Sequence, residues 1–181
     1  MLLNGPDRYG VVSRAIHWIT ALLFFVMLGV GLWMEELLDE SSALGEQLLF
    51  LHQSTGLLVF GLTVLRLLWL IITPPPPLPE TLQAWEILLA RFVRILMYVL
   101  LLAIPVSGYL NLAFDGHDVT FYGLFTIPAL VSENHDLHEV FEEVHELLVW
   151  SLLFLVLLHI AGALKHRYEL GPGVDVLRRM L

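Results

Sequence analysis

The sequence predicts an all-α fold, a transmembrane four-helix bundle in a single domain over residues 1–181. Of the 181 residues, 57% are hydrophobic and 15% are charged, and the mean hydropathy is +0.77. This composition excludes a soluble globular protein. Four stretches of 18 to 20 residues lack Asp, Glu, Lys and Arg: 15–34, 48–65, 95–114 and 147–164. Their lengths are close to the ~20 residues that a helix needs to cross a bilayer.

The four spans are expected at about residues 13–37, 48–73, 92–114 and 140–165. The first is too long for a cleaved signal peptide and lacks a small-residue cleavage site, so we expect it to remain as a helix. The prolines from Pro74 to Pro77 end the second span. Pro105 with Gly108 is expected to kink the third.

The connector after the third span is long and acidic. Residues 137–146 have the charged pattern of water-exposed first turns of the fourth helix, and residues 121–128 are expected to lie at the membrane interface.

Charges are sorted between the two sides of the predicted bundle. All nine Lys and Arg lie in or beside the termini and the linker between spans 2 and 3, together with five acidic residues. The other side carries 13 acidic residues and no Lys or Arg. The positive-inside rule therefore predicts a multi-pass membrane protein with both termini in the cytoplasm.

Four histidines fall within or beside the spans, in two pairs of matching depth. His17 in the first span and His159 in the fourth lie near the cytoplasmic side, and His52 and His145 lie near the outer side. A single intramembrane histidine often only forms a hydrogen bond between helices. The 14 positions between His145 and His159 correspond to ~21 Å along one helix, with the two side chains ~40° apart around it.

Two imidazoles from different helices are the axial ligands of a six-coordinate haem b, so the pairs His17/His159 and His52/His145 predict two haem b groups. The sequence contains no cysteine, which excludes iron–sulfur clusters and thiolate ligands. Zinc is the competing metal, but it prefers three or four protein ligands and each pair supplies two.

Two arginines and a fifth histidine are further candidates for cofactor binding. Arg66 inside span 2 and Arg14 beside His17 either contact a haem propionate or quinone, or extend their charge to the headgroups. His166 is a candidate for protonating a bound quinone or, like His138 for His145, an alternative ligand to His159. His135 and His138 with Glu139 and Glu142 outline a surface metal site, although a solvated helix face explains them better.

The sequence resembles the bacterial cytochrome b561 family of small dihaem membrane cytochromes over nearly its whole length. The matching segments are Arg-Ala-Ile-His-Trp at 14–18, His52 followed by Gly56, Arg-Leu-Leu at 66–68 before the prolines, residues 98–108, Trp150 near His145, residues 158–159 and 163–166, and the tail 176–180. The resemblance implies two b haems on the same four histidines and electron exchange with ubiquinone or another membrane quinone.

Two features depart from the family. Related sequences often carry a histidine near the start of helix 3, where this chain has Arg91 and Arg94. Members that oxidise superoxide suit an anion arriving from outside, whereas the outer side here has no Lys or Arg and would repel it. This disfavours superoxide oxidation and favours a basic or neutral outer partner, such as a cationic periplasmic electron carrier.

The leading hypothesis is a quinone-linked electron-transfer oxidoreductase that carries electrons between the quinone pool and a periplasmic partner. No catalytic residue is assigned, and no nucleic-acid partner is expected. An alternative is the haem-bearing membrane anchor of a larger dehydrogenase or hydrogenase. A haem-free transporter or metal-handling protein is a third hypothesis, weakened because the spans contain no paired carboxylates.

Overall fold

Four long helices make up most of the protein. The computed structural model describes residues 1–37, 42–78, 82–169 and 175–181, apart from the side chains of residues 35–37, 166 and 169. The helices are α1 (Val11–Leu37), α2 (Ala43–Ile72), α3 (Ala84–Phe114) and α4 (His135–Glu169). Each is long and apolar enough to cross a membrane. The predicted fold class, a transmembrane bundle of four helices, is confirmed.

Polar side chains cap the starts of three helices. The Ser42 hydroxyl accepts a hydrogen bond from the backbone N–H of Gly45 at the start of α2, and Asn134 accepts one from Leu137 at the start of α4. At α3 the Glu86 carboxylate accepts from the backbone N–H of Gln83. These caps satisfy N–H groups that the first turn of a helix leaves without partners.

A short β-hairpin joins α3 to α4 and was not predicted. Its strands, β1 (Val119–Phe121) and β2 (Phe125–Ile127), are antiparallel. The hairpin packs against α2 and α3. We call this end of the bundle the hairpin end and the opposite end, where the described residues 1–10 and 175–181 lie, the terminal end.

The helices pack unevenly, and this leaves space where the histidines face each other. Among the described residues, the close helix contacts are α3 with α4, α1 with α2, and α2 with α3; α4 approaches neither α1 nor α2 comparably closely. The buried core lies midway along the bundle and consists of Val59, Leu100, Leu101, Leu152 and Leu155. Leu152, 1% exposed, is seven residues from both His145 and His159.

A polar network holds the terminal end together. The Asn4 side-chain amide donates to the carbonyl of Thr73 at 2.9 Å, and its oxygen accepts from the backbone of Gly10 and from the hydroxyl of Ser13. The indole of Trp69 donates to the same Ser13 hydroxyl at 3.1 Å. Residues ahead of α1 thereby fasten its first turn to the last turn of α2.

Candidate haem-binding histidine pairs

The first histidine pair lies at the hairpin end. His52, ten residues into α2, faces His145 of α4 across the space between these helices, and their ring centres are 6.3 Å apart with the planes 66° apart. The structure therefore pairs His145, rather than His138, with His52. The ring of His138 instead contacts the main-chain carbonyl of Asn111 at 3.1 Å.

The second pair lies towards the terminal end. His17, in the second turn of α1, faces His159 of α4, with ring centres 6.4 Å apart and planes 73° apart. α4 thus contributes one histidine to each pair. Because they are 14 positions apart on one continuous helix, the two pairs are separated by about 21 Å along the bundle.

The spacing within each pair fits two ligands on opposite sides of one metal. Two imidazoles bound trans to a first-row metal, with metal–nitrogen distances of about 2 Å, have ring centres roughly 6.5 Å apart. The observed 6.3 and 6.4 Å agree with this value. The spacing of each pair is therefore compatible with two imidazoles that bind one metal between them.

A cavity surrounds the hairpin-end pair. It has a volume of about 620 Å³ and reaches His52, His145 and glycines on three helices. A Cβ atom added at Gly108 would lie 3.1 Å from the His145 ring, and one at Gly31 would lie 3.5 Å from the His52 ring. A side chain at Gly108 would therefore crowd His145, so this glycine leaves room for the imidazole.

The two rings of this pair differ in their hydrogen bonds. Nδ1 of His145 lies 3.1 Å from the carbonyl oxygen of Ile104 and 3.0 Å from the hydroxyl of Ser107. Because a carbonyl can only accept, Nδ1 carries the hydrogen and Nε2 is left free to bind a metal. Nδ1 of His52 is buried and has no hydrogen-bond partner among the described residues.

Sequence reasoning missed the roles of Ile104, Ser107 and Gly108. The segment containing them was noted only for its resemblance and for the expected kink. The available signal was a hydroxyl and a glycine, Ser107 and Gly108, two and three residues after Pro105. A proline inside a helix leaves the carbonyl group four residues earlier without its usual N–H partner. That such a segment would face His145 could not be known without the packing of α3 on α4.

The two candidate arginines lie near the terminal-end pair. The guanidinium of Arg66 lies over the Tyr98 ring, 5.4 Å from its centre, and interacts electrostatically with both His17 and His159. Arg14 donates a hydrogen bond to the main-chain carbonyl of Leu181. Its Nε atom is buried without a partner in the described part of the chain. Nε of Arg14 is therefore available to an anionic group.

The remaining candidates whose side chains the structure describes lie apart from the two pairs. The side chain of His166 is outside the described residues. His135 pairs with Glu139 at the surface, and no group of three or more His, Asp or Glu side chains in the described ranges is placed to hold a metal ion. The side chains of Arg91 and Arg94 are exposed on α3. The described part of the structure thus contains two facing histidine pairs and no cluster of three or more such side chains.

Comparisons with known proteins identify the family of the chain. The family profile described as Prokaryotic cytochrome b561 matches residues 8–181. Cytochrome b561 homolog 2 of Escherichia coli (strain K12) is 37% identical over 179 residues, covering 98% of this chain and 93% of the relative.

Two further relatives are more distant. Cytochrome b561 homolog 1 of Escherichia coli (strain K12) is 27% identical, covering 90% of this chain and 91% of the relative. Probable superoxide oxidase CybB of Yersinia pestis is also 27% identical and covers 96% of each chain. With four membrane helices and a family match over nearly its whole length, the chain belongs to the prokaryotic cytochrome b561 family of haem-containing, multi-pass membrane cytochromes.

Proposed function

We propose that the protein is a dihaem cytochrome b that carries electrons across the bilayer between the quinone pool and a redox partner at the hairpin end. The observation that carries this proposal is the pair of facing imidazoles at each end of α4, at 6.3 and 6.4 Å. When bound, each haem supplies reversible one-electron chemistry. The chain contributes the ligands, their separation and a surrounding that excludes water.

Four histidines would hold the two haems in this proposal. His52 and His145 would bind the haem at the hairpin end, and His17 and His159 would bind the other. The carbonyl of Ile104 fixes the tautomer of His145 and strengthens its donation to the iron. The apolar core at Leu152 lies between the two sites and keeps the space between them dry.

Arg14 and Arg66 support the terminal-end site. A buried guanidinium atom without a partner costs free energy unless an anion satisfies it. Nε of Arg14 is in that state, and a haem propionate supplies such an anion. The positive charge of Arg66 interacts electrostatically with both His17 and His159. Arg66 is therefore the second candidate to bind a haem propionate or a quinone oxygen. His166, seven positions beyond His159, is the candidate proton donor to a quinone.

The hairpin end is the periplasmic side in this proposal, and both termini lie in the cytoplasm of a bacterium. Residues 35–65 and 95–164 contain no Lys or Arg. Glu142, Glu143 and Glu146 line the cavity that contains His52 and His145. A negative rim around this site attracts a cationic protein carrier and steers its approach.

The same surface disfavours a small anion as the substrate. One relative is named Probable superoxide oxidase CybB, but superoxide would meet a rim of carboxylates here without a cation to attract it. We therefore propose a basic redox protein as the partner at this end.

The test of the proposal is a reduced-minus-oxidised optical spectrum of the purified protein, with extracted haem measured per chain. Two noncovalent b haems are expected, with one lost in His17→Ala and one in His52→Ala. Absence of haem from protein that keeps its helical content would overturn the proposal. Co-purification of a soluble cofactor-bearing subunit would instead identify the chain as the membrane anchor of a larger complex.

A further inference from the structure

The hairpin lies in a charge-free part of an acidic connector. Residues 119–132 contain no Asp, Glu, Lys, Arg or His, although Asp118 and Glu133 flank them directly. Large apolar side chains in this segment are nevertheless exposed in the protein alone: Leu124 is 77% exposed, Phe125 53% and Leu130 76%. Exposed apolar side chains grouped without charges mark a surface that contacts something other than water.

The two faces of the hairpin differ in polarity. The strands pair Val119 with Ile127 and Phe121 with Phe125, so these four side chains lie on one face. The Phe121 and Phe125 rings stack at 5.0 Å. The other face carries the pair formed by Thr120 and Thr126, whose hydroxyls are 3.2 Å apart. The hairpin is therefore amphipathic.

Hydrogen bonds to α2 fix the orientation of the hairpin. The buried Ser54 hydroxyl donates to the carbonyl of Thr120 at 2.8 Å and accepts from the N–H of Tyr122 at 3.0 Å. The Tyr122 hydroxyl lies 2.8 Å from that of Thr55. Tyr122 has a φ of 46°, which is unfavourable for a residue with a side chain. Its contacts with Ser54 and Thr55 offset this cost and hold the turn in place.

An apolar groove lies between the hairpin and the side of α2. It has a volume of about 350 Å³, and all its lining residues in the described chain are apolar or glycine: Leu57, Leu58, Phe60, Gly61, Leu62, Leu65, Phe121, Phe125 and Ile127. α2 is a membrane span, so its exposed side faces hydrocarbon rather than water. The apolar face of the hairpin continues this surface.

We propose that residues 119–130 form an interfacial membrane anchor, with the Phe121/Phe125 face in the hydrocarbon and the Thr120/Thr126 face in water, and that the groove holds an acyl chain of a phospholipid. The uncharged, unbranched shape of an acyl chain suits an apolar groove that opens to the bilayer. This inference does not depend on haem binding, so it and the proposed electron-transfer function can fail separately.

The first experiment measures depth at two adjacent residues on opposite faces. Since the chain has no cysteine, nitroxide labels can be attached to Phe125→Cys and Thr126→Cys and studied in the holoprotein in lipid nanodiscs. Collision with oxygen reports hydrocarbon, and collision with a water-soluble nickel complex reports water. The relaxation of each label is measured with and without the collision reagent. The difference between the two values removes the relaxation that haem causes.

We expect the label at residue 125 to favour oxygen over the nickel complex several-fold and the label at residue 126 to show the reverse. A label on Glu133→Cys serves as the aqueous reference. Equal, water-like accessibility at residues 125, 126 and 133 would overturn the anchor, whatever the haem content of the samples.

The second experiment identifies the occupant of the groove. A Cβ atom added at Gly61 meets no other atom within 4 Å, so the side chain of Gly61→Leu starts in open space and occupies part of the groove. Gly29 on α1 is also open, and Gly29→Leu is the matched control. In native mass spectrometry of protein released from nanodiscs, we expect the wild type and Gly29→Leu to retain a phospholipid that Gly61→Leu loses.

Two results would overturn the assignment of the occupant. A retained mass equal to that of a quinone, displaced by Gly61→Leu, would assign the groove to an isoprenoid chain. Equal phospholipid retention by Gly61→Leu and Gly29→Leu would show that the groove holds no specific lipid.

Discussion

The two histidine pairs present the same side chains in opposite electrostatic surroundings. At the terminal end Arg66 acts on both His17 and His159. At the hairpin end the cavity around His52 and His145 is rimmed by carboxylates, and no Lys or Arg occurs in residues 35–65 or 95–164. The ligand set alone therefore does not make the two proposed haem sites equivalent.

The difference in surrounding charge predicts the direction of electron transfer. A positive charge near a haem favours its reduced form, and a negative charge favours the oxidised form. The hydrogen bond from His145 to Ile104 acts in the same direction as the carboxylates, because it makes the imidazole a stronger donor to oxidised iron. We therefore expect the hairpin-end haem to have the lower potential and electrons to move towards the terminal end.

The largest expected effect comes from removing one ligand of the hairpin-end pair. His145→Ala should lower the haem content from two to about one per chain, because a single imidazole and a widened cavity hold haem poorly. Pyridine haemochrome quantification measures this change. His138→Ala is the matched control, since the His138 ring contacts Asn111 instead. Loss of haem from His138→Ala and retention by His145→Ala would contradict the pairing.

Arg66→Gln should change only the terminal-end haem. Losing one nearby positive charge should lower its potential by roughly 50–100 mV, for an effective dielectric constant of about 20. A potentiometric titration followed optically resolves the two haems. Arg91→Gln removes an exposed charge from α3 and should shift neither by a comparable amount. An equal shift in the reduction potentials of both haems in Arg66→Gln would contradict the assignment of Arg66 to the terminal-end site.

The acidic rim should make electron exchange with a cationic protein salt-dependent. With a small basic c-type cytochrome as the probe, the second-order rate measured by stopped flow should fall about tenfold between ~10 and ~150 mM salt, because screening removes the attraction. The double variant Glu142→Gln/Glu143→Gln should weaken this dependence. A rate that rises with salt would mean that the partner surface is not acidic.

Ser107→Ala should have the smallest effect. It removes one of two hydrogen-bond partners of Nδ1 of His145 and leaves the Ile104 carbonyl in place. The weaker donation should raise the potential of the hairpin-end haem by about 20–40 mV. Ser151→Ala, whose hydroxyl bonds only to the carbonyl of Leu147 in the same helix, is the control. A shift of the other haem would contradict the assignment.

Much of the architecture could be predicted because a bilayer imposes length and polarity on each segment separately. Four uncharged stretches determine four spanning helices without any knowledge of their neighbours. The facing of His17 with His159 and of His52 with His145 also followed from depth alone, since membrane helices run roughly parallel and depth is read from sequence position.

The hairpin and the surroundings of His145 could not be predicted in this way. The strands β1 and β2 are three residues each, too short for an alternating pattern to stand out. Their position depends on Ser54 and Thr55, more than sixty residues earlier in the chain. The hydrogen bond between His145 and Ile104 likewise joins two helices, and no local pattern specifies which faces of two apolar helices meet.

Three features can be read from the sequence alone, because each depends on composition along a single segment: the number of spans, the sorting of charge to the two ends and the matching depths of four histidines. Two others appear only in the packed bundle. Among the described residues α4 stays apart from α1 and α2, which leaves space between the paired rings, and Gly108 and Ser107 lie against His145. These features depend on the rotation of each helix about its axis, which packing against neighbours sets.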